Sequence, residues 1–323
     1  MKKNYLGFSV YLAIASFLGF FASSVISQET GKQIRLIVPF APGGSNDIVG
    51  RAVAQQLSPR LKRSVVVENK PGAGGVLGAE IAARAEPDGN TLLLISSSFA
   101  MNSSIMKLSY DPVKSFAPLA MLGMGPSVIV VNSATPVNSI KELVDFSKNN
   151  PSKTNFGTAG VGSFQHFAIE LFKLKTGANF VLVHYKGGGP ALVDLAAGHI
   201  QISLGSLIQM QNFMKAGQIK VLAVAGSKRV PLLPNVPTLK ELGIDVEASN
   251  WWAILAPTGT SNELLDALHK EINQVLIDPE IKRRFANEGA ESLPMSRIEF
   301  EKFLSEESVK WARVAKLTGI KPE

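Results

Sequence analysis

The feature that most constrains this chain is a short buried strand that breaks into a glycine loop and re-enters a helix. Ile34-Arg35-Leu36-Ile37-Val38 is too brief for a helix and rich in branched side chains, which predicts a strand. Pro39-Phe40-Ala41-Pro42-Gly43-Gly44-Ser45-Asn46-Asp47 then forces a loop. From Ile48 the apolar residues Ala52, Val53, Leu57 and Leu61 fall at helical spacing. The first turn of such a helix carries backbone N–H groups without intrahelical partners, and its macrodipole adds partial positive charge, so an anion at Gly43 to Asn46 would be stabilised. A plain strand-to-helix turn with Ser45 as N-cap accounts for this loop on its own. Repetition strengthens the anion reading. Gly157-Thr158-Ala159-Gly160-Val161-Gly162-Ser163 leads into a helix striped by Phe164, Phe167, Ala168, Leu171 and Phe172. His184-Tyr185-Lys186-Gly187-Gly188-Gly189-Pro190 follows another strand-like run, and Pro190 suits a first helical turn.

Strand-like runs at Val65–Val67, Thr91–Ile95, Leu119–Val131, Ile200–Leu204, Lys220–Val224 and Trp251–Pro257 alternate with helical segments, which predicts an α/β protein with mostly parallel sheets. Helices are expected at Ala79–Ala85, from the capping box Ser139-Ile140-Lys141-Glu142, at Val236–Gly243, at Ser261–Ile277 and from Ser296 to about Lys316. Gly72, Gly74 and Gly78 resemble a dinucleotide fingerprint, but Leu77 stands where the third glycine is needed. Ser96, Ser97 and Ser98 end a buried strand, where they would line a crevice or simply cap the next helix. We expect two lobes, residues 28–131 plus 250–323 and residues 132–249, with their loops facing a shared cleft.

Lys2 and Lys3 precede an apolar run from Leu6 to Ala22, and small residues follow at Val25-Ile26-Ser27. This pattern predicts a signal peptide over residues 1–27 and a soluble periplasmic protein cleaved near Ser27. The chain has no cysteine, which excludes disulfides, thiolate chemistry and a lipid-modified cysteine. Removing residues 1–27 takes away two lysines and no acids, lowering the formal charge from +7 to +5. Dispersed basic residues without interleaved aromatics argue against nucleic acid.

Reactive side chains are sparse. Ser163 and His166 lie three apart, but Val161 and Gln165 break the G-x-S-x-G pattern, so a serine hydrolase is the weaker alternative. The remaining histidines, His184, His199 and His269, lack metal-ligand spacing, and no glycine run carries a P-loop lysine. No metal or cofactor is implied. Backbone donors, hydroxyls and helix ends favour binding over catalysis.

Ile37 to Asp47, Val67-Glu68-Asn69-Lys70-Pro71-Gly72-Ala73-Gly74-Gly75, Pro87-Asp88-Gly89, Tyr185-Lys186-Gly187 and Val236-Pro237-Thr238 occur in an order that resembles the solute-binding receptors of tripartite tricarboxylate transporters, the Bug receptors. The resemblance spans nearly the whole chain after residue 27. It implies a monomeric, two-lobed, hinge-closing periplasmic binding protein of the type II class that delivers a small organic acid to membrane permease subunits. A membrane sensor is the alternative partner. It also implies that loops matched by Pro42–Asp47, Ser96–Asn102, Gly157–Ser163 and Tyr185–Gly189 hold the carboxylates, often through water. On that basis Pro42, Gly43, Gly44 and Ser45 would take one carboxylate, with Asp47 ordering the loop. Thr158, Gly160, Gly162, Ser163 and His166 would hold a second polar group, Ser97 and Ser98 would line the crevice, and Tyr185 and Gly187 would close the wall. Phe99 stands where such receptors carry a small or polar residue, which would narrow the pocket or favour an apolar acid. Ser115 and Ser261 replace a usual aspartate and proline, with local effects only.

Overall fold

The computed structural model describes residues 32–287 and 289–321; the expected signal segment, residues 1–27, lies outside them. Strand β1 (Ile34–Val38) leads to helix α1 (Ser45–Leu61), β2 (Val65–Asn69), α2 (Val76–Ala83), β3 (Thr91–Ser96), α3 (Ser97–Asn102) and β4 (Phe116–Asn132). Then come α4 (Ile140–Asn149), β5 (Asn155–Thr158), α5 (Phe164–Thr176), β6 (Val181–His184), α6 (Gly188–Ala197), β7 (Ile202–Ser206), α7 (Leu207–Lys215) and β8 (Ile219–Val224). The chain returns through β9 (Ser249–Pro257), α8 (Asn262–Ile277), α9 (Pro279–Asn287), β10 (Glu291–Ser292) and α10 (Arg297–Thr318).

Strand order is β2-β1-β3-β9-β4-β7-β5-β6, with β8 and β10 also on β4. The outer strands run parallel: β1 with β2 and β3, and β5 with β6 and β7. The middle does not. β9 is antiparallel to β3 and to the first part of β4, and β7 and β8 are antiparallel to the last part of β4. The expectation of mostly parallel sheets is therefore corrected to a mixed one. A strand buried on both faces reads as the same continuous apolar run in either direction, so the sequence pattern is blind to this difference.

The 17-residue strand β4 is the organising element. Phe116 to Pro126 pair with β9, and from Ser127 onward the partners change to β7 and β8. Register shifts between Pro118 and Ala120 and between Met121 and Gly123 bend the first part, as expected where bulges break a ladder. The hand-over places β1, β2 and β3 on one side of β4 and β5, β6 and β7 on the other.

α10 is fixed by one acid. Glu307 Oε2 accepts from the indole N–H groups of both Trp251 (2.8 Å) and Trp311 (2.9 Å), while Lys310 pairs with Oε1 at 2.9 Å. Both indoles are fully buried, and this carboxylate satisfies donors that would otherwise be costly. One helix expectation and one capping detail need correction. Residues 236–243 form turns instead of a helix, although Thr238 and Glu241 make the reciprocal capping bonds; Thr238 bridges to Val224 and holds the segment against β8. The half-box at Ser139 caps α4 through the Glu142 N–H, but the Glu142 carboxylate reaches the Asn138 N–H. Ser115 bonds back to Asp111 and Ser261 caps α8, so both departures act locally.

Candidate functional site

The chain turns from β1 into α1 over a loop that Asp47 holds from inside. Its Oδ2 accepts from the Gly43 N–H (3.1 Å), and Oδ1 accepts from Asn69 Nδ2 (3.0 Å) and pairs with Arg51 at 2.9 Å. Burial acts to raise the Asp47 pKa, but hydrogen bonds from Arg51, Gly43 and Asn69 outweigh it and hold the carboxyl below its ordinary range. The N-cap of α1 is Gly44, not Ser45, which is the first helical residue. The Ser45 hydroxyl oxygen instead accepts from Trp252 Nε1 (3.3 Å) and Asn250 Nδ2 (3.4 Å), anchoring the helix start to β9.

α6 begins at Gly188 directly opposite. A Cβ built on Gly44 would lie 3.5 Å from the Gly189 nitrogen and 3.6 Å from the Gly188 nitrogen, so two helix N-termini converge. The approach requires glycine at position 189, where a Cβ would lie 2.2 Å from the Pro42 carbonyl oxygen. The Ala41 N–H donates to the Lys186 carbonyl at 3.0 Å, tying the two loops. Gln209, on α7, supplies one acceptor: its Oε1 takes the Ser45 N–H at 2.9 Å. The N–H groups of Gly44, Asn46, Asp47, Gly188 and Gly189 are on buried residues and have no hydrogen-bond partner among the described residues. Two positive dipole ends and a set of unpartnered donors form a place for negative charge.

The second glycine loop satisfies more of itself. Thr158 Oγ1 accepts from the Gly160 N–H (3.2 Å) and lies 2.6 Å from His184 Nδ1. The Gly162 N–H donates to His166 Nδ1 at 3.2 Å, so that nitrogen is an acceptor. Ser163 is the N-cap of α5, its Oγ accepting from the His166 N–H at 3.3 Å. His166 and His184 stack edge to face, 5.0 Å between centroids. The hydroxyl and imidazole that a hydrolase would need are thus committed to building a helix start. Ser98 Oγ accepts from the Phe164 N–H (2.9 Å), and Ser97 Oγ accepts from the Trp251 N–H (3.2 Å), so both serines join elements instead of only capping α3.

The loops expected from the sequence meet here: 39–47 with 186–189, 96–102 with α5, and 73–75 with 160–163, where a Cβ on Gly74 would lie 2.2 Å from the Val161 carbonyl oxygen. Tyr185 is different. Its hydroxyl donates to Asp194 (2.7 Å); partial burial and this bond push its pKa up, so the phenol is engaged on α6. Gly187 packs on Ala41. Phe99 stacks with Tyr110 (6.2 Å) and meets Phe116 edge-on (5.6 Å), and it also lines a cavity of about 10 Å³ with Ser96, Ser98 and Asn102. Sequence reasoning missed Gln209 and Asn250; Asn102 and the pair Gly188–Gly189 lie inside loops it named but were not singled out. Only the glycines left a signal, lying before Pro190; Gln209 sits in an ordinary amphipathic segment. Among the described residues no acidic, histidine or cysteine cluster has metal-binding geometry, and no helix is long and apolar enough to cross a membrane.

Known proteins share this arrangement of chain. Residues 49–320 match the family described as tripartite tricarboxylate transporter family receptor. Protein BugT of Bordetella pertussis is 36% identical over 302 residues, covering 92% of this chain and 93% of BugT. The structure of the periplasmic binding protein BugD superposes with a TM-score of 0.87 at 33% identity, covering 90% of this chain and 99% of BugD. That of R. palustris Rpa4515 with adipate superposes with a TM-score of 0.87 at 31% identity, covering 90% of this chain and 98% of that one. With the mixed α/β fold of periplasmic binding proteins and a match over most of its length, this chain belongs to the tripartite tricarboxylate transporter receptors, a family of binding proteins and not of enzymes.

Proposed function

We propose that the protein is an extracytoplasmic receptor that closes over a small carboxylate-bearing metabolite and delivers it to the permease subunits of a tripartite transporter in the membrane. The observation that carries this reading is the convergence of the α1 and α6 N-termini, with buried donors on Gly44, Asn46, Asp47, Gly188 and Gly189. Each helix end stabilises a carboxylate by about 0.3–1 kcal/mol, and more when partly buried. Hydrogen bonds to a charged group add roughly 1.5–3 kcal/mol each, so four of them at the upper end, about 12 kcal/mol, reach the roughly −8 kcal/mol of micromolar binding after an association cost of about 4 kcal/mol. Neutral donors achieve this without a buried countercharge. The adipate of R. palustris Rpa4515 supports a dicarboxylate of modest length.

The lobes in this reading are residues 28–131 plus 250–323 and residues 132–249. Its support is the change of partners along β4 at Pro126 and Ser127; β4 and β9 are the hinge strands in this reading. The second loop, Thr158 to Ser163, would then shape the far wall and set ligand length. Export to the periplasm follows from the lysines and apolar run of residues 1–27. Trp252 donates to Ser45 behind the α1 N-terminus, so its fluorescence reports on the site directly. A saturable change in tryptophan emission on titration with dicarboxylates, lost in Gly44→Val, is expected; an unchanged titration in a folded Gly44→Val protein would move the site elsewhere.

A further inference from the structure

A small cavity with a mostly apolar lining and three polar side chains lies beside the α1 N-terminus, at the carboxyl ends of β1 and β3. Its volume is about 10 Å³, the scale of one oxygen-sized group, and Phe40, Gly75, Ser96, Ser98, Phe99 and Asn102 are on its wall. Asn102 is 1% exposed, and its Oδ1 is buried with no hydrogen-bond partner. The amide orientation is fixed from the other side, because its Nδ2 donates to the Gly74 carbonyl at 3.1 Å and a flipped amide would set oxygen against oxygen. Ser96 Oγ accepts from Asn46 Nδ2 (3.2 Å) and Ser98 Oγ from the Phe164 N–H (2.9 Å). Both serine hydroxyls therefore keep a proton to donate. Asn102, with its bare Oδ1, and both serines are among the wall residues, and no acidic side chain is on the wall.

From this arrangement we infer that the cavity is a specificity subsite for a hydroxyl group carried next to a carboxylate, so that the protein selects hydroxy acids over their unsubstituted counterparts. The inference rests on the carboxylate-receptor reading and refines it. A hydroxyl can donate to Asn102 Oδ1 and accept from Ser96 or Ser98, meeting the bare acceptor and one of the two serine donors. An ammonium group would bring a buried charge without a countercharge, which disfavours it. The Asn46–Ser96 hydrogen bond places the cavity one side chain from the α1 donors, within reach of the carbon adjoining a bound carboxylate. A site that hydrogen-bonds a ligand hydroxyl rejects the analogue without it, because its own polar groups are then left unpaired.

The test is calorimetric titration of the protein with matched pairs: malate and succinate, lactate and propionate, citrate and tricarballylate, mandelate and phenylacetate. In any pair that binds, the hydroxy member is expected to bind at least about tenfold more tightly, equal to about 1.4 kcal/mol. In Asn102→Leu that ratio is expected to fall to within about twofold. Ser96→Ala gives an independent reading of the same ratio should Asn102→Leu not fold. Equal affinities within the binding pairs would mean that a water fills the cavity, and would overturn the subsite. So would a ratio that survives in the folded variants. Failure of every acid in every pair would instead overturn the carboxylate-receptor reading on which the subsite stands.

Discussion

Gly189→Ala separates binding from folding more cleanly than any other single change. A Cβ at this position would lie 2.2 Å from the Pro42 carbonyl oxygen and 3.0 Å from the Gly43 carbonyl carbon. An ordinary contact is roughly 3.5 Å, so the two loops must part by about 1 Å. Neither loop has a flexible side chain at the contact that could move aside. Position 189 does not have a positive φ and lies in the first turn of α6, where alanine is favoured over glycine by up to about 1 kcal/mol. The separate parts should therefore fold, with stability within about 1 kcal/mol of wild type. Binding should not survive, because parting the loops takes one set of N–H donors out of reach of a ligand held by the other. Losing one or two charge-assisted hydrogen bonds at roughly 1.5–3 kcal/mol each lowers affinity about 100-fold or more. Gly44→Ala is the control, since its Cβ would have 3.5 Å of room and should change affinity less than about threefold. Calorimetric titration with the tightest-binding acid, alongside urea unfolding, reads both quantities. A Gly189→Ala protein that binds within threefold of wild type would refute the convergence of α1 and α6 on the ligand.

Asp47 links the loop to pH. Its folded pKa lies below the unfolded value of about 3.9, so its contribution is fully present above that pH and is lost as pH falls through the folded pKa. Urea unfolding should show Asp47→Asn less stable by about 1–3 kcal/mol at pH 7, with the gap closing below about pH 4; a gap independent of pH would contradict the assignment. Glu307→Ala leaves two buried indole N–H groups without their acceptor, and should cost about 2–5 kcal/mol in chemical unfolding, with Glu307→Gln costing less. Tyr185→Phe removes a half-buried bond to Asp194, and should cost under about 1 kcal/mol while leaving ligand affinity within twofold. A larger affinity loss would mean that the phenol touches ligand.

The elements that were legible in the sequence are those in which one local signal dominates. β1, β3 and α1 were visible because a branched apolar run, a proline and glycine break and a helical stripe leave little choice. Direction along the sheet was not, because β4 and β9 are buried on both faces and their neighbours come from distant sequence. The 236–243 helix failed for a related reason: its capping chemistry formed, but pairing with Val224 prevailed over helix propagation. In the site, glycine loops announced themselves because close backbone approach tolerates no other residue. Hydroxyls fall near the site, but Ser45 is not the N-cap that its position suggests: it is the first helical residue, and its oxygen serves Trp252 and Asn250. Gln209 was invisible and Asn102 was named only as part of a loop, since an amide becomes informative only when folding shows which donor or acceptor it faces.

The central claim is that two helix N-termini recognise a negative charge. Calorimetric titration of the protein with a bound acid and with the primary amide of the same acid tests it most directly. The acid and amide share shape, but the amide is neutral and puts an NH2 donor where the carboxylate has an acceptor oxygen, so the account expects saturable binding of the acid and at least a 100-fold weaker response to the amide, about 2.7 kcal/mol. Equal binding of acid and amide would show that shape alone is recognised, and would contradict the account.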